Sequence, residues 1–290
     1  MSREQPLAGL ADLHTHSTAS DGTLSPAELV ALASSRGIFL LALTDHDTVA
    51  GVPEAASEAL ARGTCFVLGV ELTSSFTPGE LHILGYGFDA ASDELLTTLA
   101  RLRESRVRRA GRILDRLESL GIQVPKAVAE PLREDASIGR PHIARALIEA
   151  GIVTSIENAF RFYLGAGAPA YVPREALEPA EAVAMLKRAG AFVSLAHPLS
   201  CPNYRDQIPA LKQAGLDALE AWYGEYSVGE REGIARVAER HGLLTTGGSD
   251  YHGPSERSRR ELGGLVIPEI VVKRFLRALR PERPVIDSPE

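Results

Sequence analysis

Short apolar runs of strand length alternate along this chain with longer stretches in which apolar residues recur at helical spacing. The short runs are Leu10–Leu13, Ile38–Leu43, Phe66–Val70, Leu81–Gly85, Phe192–Ala196, Ala218–Ala221 and Leu243–Thr246, and each predicts a strand. Helical patterns fall between several of them, at Pro26–Ser35, Val52–Arg62, Pro179–Ala189, Ile208–Ala214 and Gly229–His241. Ser25 stands where a helix cap belongs, with Pro26 at the first helical position. Gly37, Gly63, Gly190, Gly215 and Gly242 stand where a left-handed helix end favours glycine. Repeated strand–helix units predict an α/β fold with a mainly parallel sheet, open or closed into a barrel. In such folds the C-terminal ends of the strands carry the active site.

The middle of the chain breaks this rhythm. Leu95, Leu96, Leu99 and Leu102, then Ile113, Leu114, Leu117 and Leu120, keep a helical period, and Ser137–Ala150 and Ser155–Tyr163 predict two further helices. The expected organisation is a discontinuous barrel, residues 9–91 and 171–266, interrupted by a helical insertion or cap at 92–170. Gly165–Pro173 is the return linker, and the tail at 267–290 is expected to be frayed.

Composition narrows the class. A chain of 290 residues with 44% hydrophobic residues makes a packed globule. The net charge of −7 lacks the basic footprint of a duplex-binding protein. Two cysteines, Cys65 and Cys201, suggest no disulfide framework. No signal peptide or membrane-length apolar run is visible, so a soluble cytoplasmic protein without a membrane or stable protein partner is expected.

The chemistry lies in the histidines. His14 and His16 form DLHTHSTASDG, His46 lies in TDHD, His82 in ELHILG, His142 in GRPHIAR, His197 in LAHP and His252 in GGSDYHG. The eighth, His241, suits an ordinary helix C-terminus. His14 and His16 are two apart, so on a strand they share a face and can reach one metal. Asp12 and Asp21 flank them. His46 follows an apolar run; Asp45 beside it could orient a ligand, and Asp47 or Thr48 could cap the next helix. Glu71 follows Val67-Leu-Gly-Val, and a carboxylate at the end of a buried strand is costly unless it is paired or binds a cation. It is the candidate metal bridge. His82, His197, Asp250 and His252 complete the set. One such motif is weak; six near strand ends point to a multi-metal hydrolytic site.

The ordered set of HxH with a following Asp, TDHD, GVE, a histidine in the fourth strand, AHP and GSDxH resembles the polymerase and histidinol phosphatase (PHP) family, over Leu10–Asp89 and Val172–Gly264. The resemblance implies a distorted (β/α)7 barrel with three divalent ions at the strand C-termini. It places one ion on His14, His16, Glu71 and Asp250, a second on Glu71, His82 and His197, and a third on Asp21, His46 and His252. Asp21, a carboxylate where some relatives carry histidine, favours Mn²⁺; Zn²⁺, Fe²⁺ and Mg²⁺ also suit such donors.

The insertion, with Arg140-Pro141-His142, is similar to the subgroup of 3′,5′-nucleoside bisphosphate phosphatases and 5′→3′ exoribonucleases acting on short RNA. That resemblance implies a small phosphorylated nucleotide as substrate, held by Arg140 and His142, with Arg106 and Arg109 as further candidates. Hydrolysis would proceed by in-line attack of a metal-bound hydroxide, with His142, Asp45 and Arg140 the expected catalytic groups. Cys201 is a weaker candidate nucleophile, since no base accompanies it. The bland readings are a helix start for Arg140 and His142, and a solvated helix face for Arg101, Arg103, Arg108, Arg112 and Arg116. The rival functions are a histidinol-phosphate-type or other small-molecule phosphatase, and a non-enzymatic regulator that binds metal or phosphate.

Overall fold

The computed structural model describes residues 11–76, 79–125, 127–129, 138–254, 260–279 and 285–286. Leu10, Ser137 and most of the segment after Leu279 lie outside the described residues. The strands are β1 (Ala11–Asp12), β2 (Leu40–Leu43), β3 (Cys65–Phe76), β4 (Gly79–Tyr86), β5 (Phe192–Leu195), β6 (Ala218–Tyr223), β7 (Leu244–Gly248) and β8 (Val285–Ile286). They form one sheet in the order β1 to β7, with β8 added beside β3.

Backbone bonds draw the two edges of this sheet together. Leu13 N–H donates to the Gly247 carbonyl at 3.2 Å, His16 N–H to Tyr251 at 2.9 Å and Asp250 N–H to His14 at 2.9 Å. The result is a distorted (β/α)7 barrel. A Cβ on Gly248 would sit 2.4 Å from the His14 Cβ, so glycine there lets β7 approach the backbone just after β1.

Four of the six pairings from β1 to β7 are parallel, as expected, and the antiparallel β4 makes the sheet mixed. β3 pairs antiparallel with β4, and β4 antiparallel with β5. Only residues 77 and 78 separate β3 from β4, too few for the crossover that a parallel pair requires. β3 also runs past its expected end at Val70. The polar residues Thr73, Ser74 and Ser75 continue it because β4 pairs their backbone through to Phe76. Glu71 therefore lies inside a strand rather than at its end.

Local signals set the helices. Ser25 Oγ accepts the Glu28 N–H at 3.2 Å while the Glu28 carboxylate accepts the Ser25 N–H at 2.8 Å, a capping box that opens Pro26–Ser35. Ser227 and Glu230 repeat it ahead of Val228–Arg240. Gly63, at φ 66°, takes the left-handed conformation that ends Val52–Arg62. His241 caps the C-terminus of Val228–Arg240.

The tail corrects a further expectation. Residues Glu269–Ala278 form a helix that buries Val271, Val272 and Phe275. These pack with Leu13, Leu40, Tyr86, Phe192 and Ala218 in one apolar cluster. The period of Ile267, Val271, Val272, Phe275 and Leu279 outweighs the prolines around it.

The chain divides into two compact units, Met1–Leu96 with Leu177–Glu290, and Thr97–Ala176. Leu177 joins the first because its carbonyl accepts the Ser75 N–H at 3.0 Å. The second has its own core, in which Ile113, Leu114 and Leu117 of the helix Asp93–Ser119 pack against Ile143, Ala144 and Leu147 of Arg140–Glu149. The expected helix at Ser155–Tyr163 is an α-turn, Ile156–Ala159, running into a π-turn, Phe160–Leu164.

Candidate metal centre

Strand ends and the turns that follow them bring nine side chains of the barrel unit together. His14 and His16 follow β1, with Asp21 in the succeeding loop. His46 follows β2, Glu71 and His82 come from the hairpin β3–β4, His197 follows β5, and Asp250 and His252 follow β7.

Glu71 is the hub. Its Oε2 lies 3.3 Å from His14 Nε2, 3.2 Å from His16 Nε2 and 2.9 Å from His46 Nδ1. Its Oε1 lies 2.8 Å from His82 Nδ1 and 3.1 Å from His197 Nε2. Asp250 Oδ1 meets the same Nε2 atoms of His14 and His16, at 3.4 and 3.2 Å. Asp21 Oδ1 stands 3.2 Å from His252 Nε2 and 4.0 Å from His46 Nε2.

These contacts fit a cation better than a set of hydrogen bonds. His14 Nε2, His16 Nε2, His46 Nδ1 and Glu71 Oε2 are buried and lack a hydrogen-bond partner although they face one another. Burying such atoms unpaired is costly. Four overlapping groups each place their donors within 4.8 Å of one another: His16, Asp21, His46 and His252; His14, His16 and Asp250; His14, Glu71 and His197; and His46, Glu71 and His82. Donors about 2.0–2.2 Å from a shared ion would stand at such separations. Mixed imidazole and carboxylate donors suit a divalent metal.

The electrostatics agree. Burial alone would raise the Glu71 carboxyl, but His46, His14 and His82 hold it well below the usual carboxylate range. Asp250 is held low against burial by His14 and His252, and Asp21 by His252 and His46. Burial opposes the charge on His16, yet the neighbouring carboxylates of Asp250 and Glu71 push it up to about 10. His46 goes the other way. Burial brings it down to about 4 despite Glu71 and Asp21, which leaves a neutral ring with a donor lone pair at pH 7.

Around these side chains lies a buried support. The Asp45 carboxylate accepts the Ser17 N–H at 2.8 Å, the Ser17 hydroxyl at 2.7 Å and the Ser20 hydroxyl at 2.5 Å. Ser20 Oγ is in turn 3.5 Å from His16 Nδ1. Asp45 thus ties down the loop between His16 and Asp21. Asp47 does not cap the next helix; its Oδ1 accepts the Thr73 N–H at 3.0 Å. Asp12, pushed up to about 6 by burial, accepts the Ser249 N–H at 2.8 Å.

Sequence reasoning missed three supports. Tyr223 O–H donates to Asp250 Oδ2 at 2.8 Å, and Arg260 Nη1 lies 3.3 Å from the same oxygen. Glu220 meets both His14 and His197. Its signal was a lone acid inside the apolar strand run Ala218-Leu-Glu-Ala.

The remaining candidates belong to the helical unit. His142 Nδ1 accepts the Gly139 N–H at 3.1 Å at the start of Arg140–Glu149. The Arg140 guanidinium lies 5.4 Å from the Phe160 ring centroid and 6.0 Å from that of Tyr171. Arg109, buried, donates from Nε to the Val172 carbonyl at 2.8 Å, and Arg106 is buried too. Arg101, Arg108, Arg112 and Arg116 are exposed, as a solvated face requires. Cys201 is buried, and neither described cysteine joins a metal-binding group.

Comparison with known proteins adds a family. The PHP domain matches residues 12–104. The 3′,5′-nucleoside bisphosphate phosphatase of Chromobacterium violaceum is 38% identical over 253 residues, which cover 86% of this chain and 89% of that one. A 5′-3′ exoribonuclease of Haemophilus influenzae is 37% identical over 247 residues, covering 84% and 90%. Among solved structures, an amidohydrolase from Chromobacterium violaceum with bound sulfate and no metal superposes with a TM-score of 0.84 at 34% identity, covering 93% of this chain and 96% of its own.

Proposed function

The chain belongs to the PHP family, and we propose that it is a metal-dependent phosphoesterase that removes the 3′-phosphate of nucleoside 3′,5′-bisphosphates. The observation that carries this reading is the convergence of five imidazoles on the one buried carboxylate of Glu71. Relatives that share more than a third of their residues with this chain are a nucleoside bisphosphate phosphatase and an exoribonuclease, so nucleotide phosphate esters are the substrate class.

Three ions are proposed, Mn²⁺ first among them, held by His14, His16, Asp21, His46, Glu71, His82, His197, Asp250 and His252. Bound there, they would supply positive charge against the phosphoryl oxygens and Lewis acidity toward water. The protein's own groups do the positioning. Glu71 presents one oxygen to His14, His16 and His46 and the other to His82 and His197. Tyr223 and Arg260 occupy Asp250 Oδ2, which commits Oδ1 to the histidines. Asp45 fixes the loop that carries Asp21. Arg140 and His142 are assigned to the substrate phosphate, with Arg106 and Arg109 as supporting cations, and His142 to protonation of the leaving oxygen.

The test is phosphate release from adenosine 3′,5′-bisphosphate with Mn²⁺, beside histidinol phosphate and a short 5′-phosphorylated RNA. Loss of the 3′-phosphate with histidinol phosphate untouched is the expected result. Mononucleotides released from the RNA alone would make the chain an exoribonuclease. Turnover of histidinol phosphate alone would move it to the rival branch.

A further inference from the structure

We infer that Glu220 is a positioning residue that holds His14 and His197 as a fixed pair; this rests on the metal-centre reading above. Glu220 sits inside β6 between Leu219 and Ala221, all three fully buried. A carboxylate enclosed by an apolar strand costs several kcal/mol unless its oxygens are engaged. Both are engaged, and both on metal-ligand residues. Oε1 lies 2.9 Å from His14 Nδ1, and Oε2 accepts the backbone N–H of His197 at 2.7 Å. Although acidic and adjacent, Glu220 belongs to none of the groups that could hold an ion.

Each contact has a separate consequence. A carboxylate on Nδ1 requires a hydrogen there, so the His14 lone pair is left on Nε2. That nitrogen faces Glu71 Oε2 at 3.3 Å and Asp250 Oδ1 at 3.4 Å. His197 has φ 24° and ψ 60°, outside the regions open to an ordinary side chain at low cost. The bond from its N–H holds the strained turn and so places the ring whose Nε2 meets Glu71 Oε1. One side chain on β6 therefore fixes ligands from β1 and β5, neither of which pairs with the other. His14 is confined from its other side by Gly248.

Glutamine is the diagnostic replacement because it keeps the shape and removes one acceptor. Two N–H donors face this carboxylate, and an amide has a single oxygen to offer them. If that oxygen serves His197, the amide N–H₂ meets His14 Nδ1. The ring must then carry its hydrogen on Nε2, the nitrogen that should donate to metal. Outer partners of this kind are worth about 10–100-fold in metal affinity.

Metal-free wild type and Glu220→Gln are titrated with Zn²⁺ against a chromophoric chelator, with ions counted by mass spectrometry. Imidazole ¹⁵N spectra are recorded on the Zn²⁺-loaded proteins, and thermal unfolding on the metal-free ones. The expected result is a hydrogen on His14 Nδ1 in wild type, and about a 10–100-fold weaker site for one ion per chain in Glu220→Gln, with the metal-free variant still folded. Wild-type affinity and stoichiometry in the folded variant would overturn the role of Glu220 alone. A His14 hydrogen on Nε2 in loaded wild type would also overturn it, even if the variant failed to fold. A wild type that takes up no Zn²⁺ would overturn the metal centre and this inference with it.

Discussion

The two ends of the barrel are built on opposite rules. At one end, Ala11, Leu40, Phe192 and Ala218 open their strands, Tyr86 closes the antiparallel β4, and Phe275 of the last helix packs among them. This end is apolar, and the Tyr86 hydroxyl is satisfied by the Leu13 carbonyl at 2.9 Å. At the other end stand buried carboxylates, buried imidazole nitrogens without hydrogen-bond partners, and the three described non-glycine residues with positive φ: Asp47, His197 and Asp250. Each such conformation costs on the order of 1–3 kcal/mol. The lesson is that stability and strain are separated along the strands. The packed end can carry the cost of the strained end because both belong to one sheet.

The sharpest way to break that contrast is Glu71→Gln. Hydrolysis of a nucleotide bisphosphate, followed by phosphate release, should fall beyond the about 100-fold that loss of an outer partner costs. Circular dichroism should still report a folded chain. An active, metal-saturated variant would mean that this end is not organised around one carboxylate.

The converse substitution is Phe275→Ala. It should cost about 3–5 kcal/mol of stability in denaturant unfolding, while kcat/KM of the folded protein stays unchanged. A large fall in kcat/KM at full folding would show the two ends to be coupled.

The gentlest probe is pH on the metal-free protein. His16, raised from 6.5 to about 10, contributes stability that is fully present below pH 6.5 and lost as pH rises through about 10. Glu71 and Asp250, held below 4.5 and 3.8, contribute stability that is present above those values and lost as pH falls below them. Tm in chelator should therefore decline on both sides of a plateau that ends near pH 6.5. Metal should flatten the alkaline side, because bound ligands carry no proton to lose. An alkaline decline that persists with metal bound would separate His16 from the centre.

Much of this was legible in the sequence, for a physical reason. Most of the candidate metal-binding residues stand just past strand ends, which are marked by the change from an apolar run to polar residues, as at Leu43-Thr44-Asp45-His46 and Ala196-His197-Pro198, whereas Glu71 and His82 lie inside β3 and β4. The same rule hid Glu220, because its acid lies within an apolar run and its task is done from inside the strand. Strand direction was less visible. The apolar pattern of β4 is the same read in either direction. The final helix departs from the frayed tail expected of a chain terminus because Val271, Val272 and Phe275 recur at helical spacing and find a core to pack against. Which donors converge follows side-chain reach rather than order along the chain. His16 converges with Asp21, His46 and His252 as well as with His14 and Asp250, and His46 also with Glu71 and His82.

The interruption between β4 and β5 has a consequence during synthesis. β4 ends at Tyr86 and its partner β5 begins only at Phe192. At ribosomal rates of about 5–20 residues per second, roughly 100 intervening residues keep that edge waiting for about 5–20 s. The waiting edge carries Leu84 and Tyr86, residues that end up fully buried. A nascent hairpin with an open edge is a template for the wrong neighbour, so the helical unit that emerges in the interval is also a delay through which the half-made barrel must stay soluble.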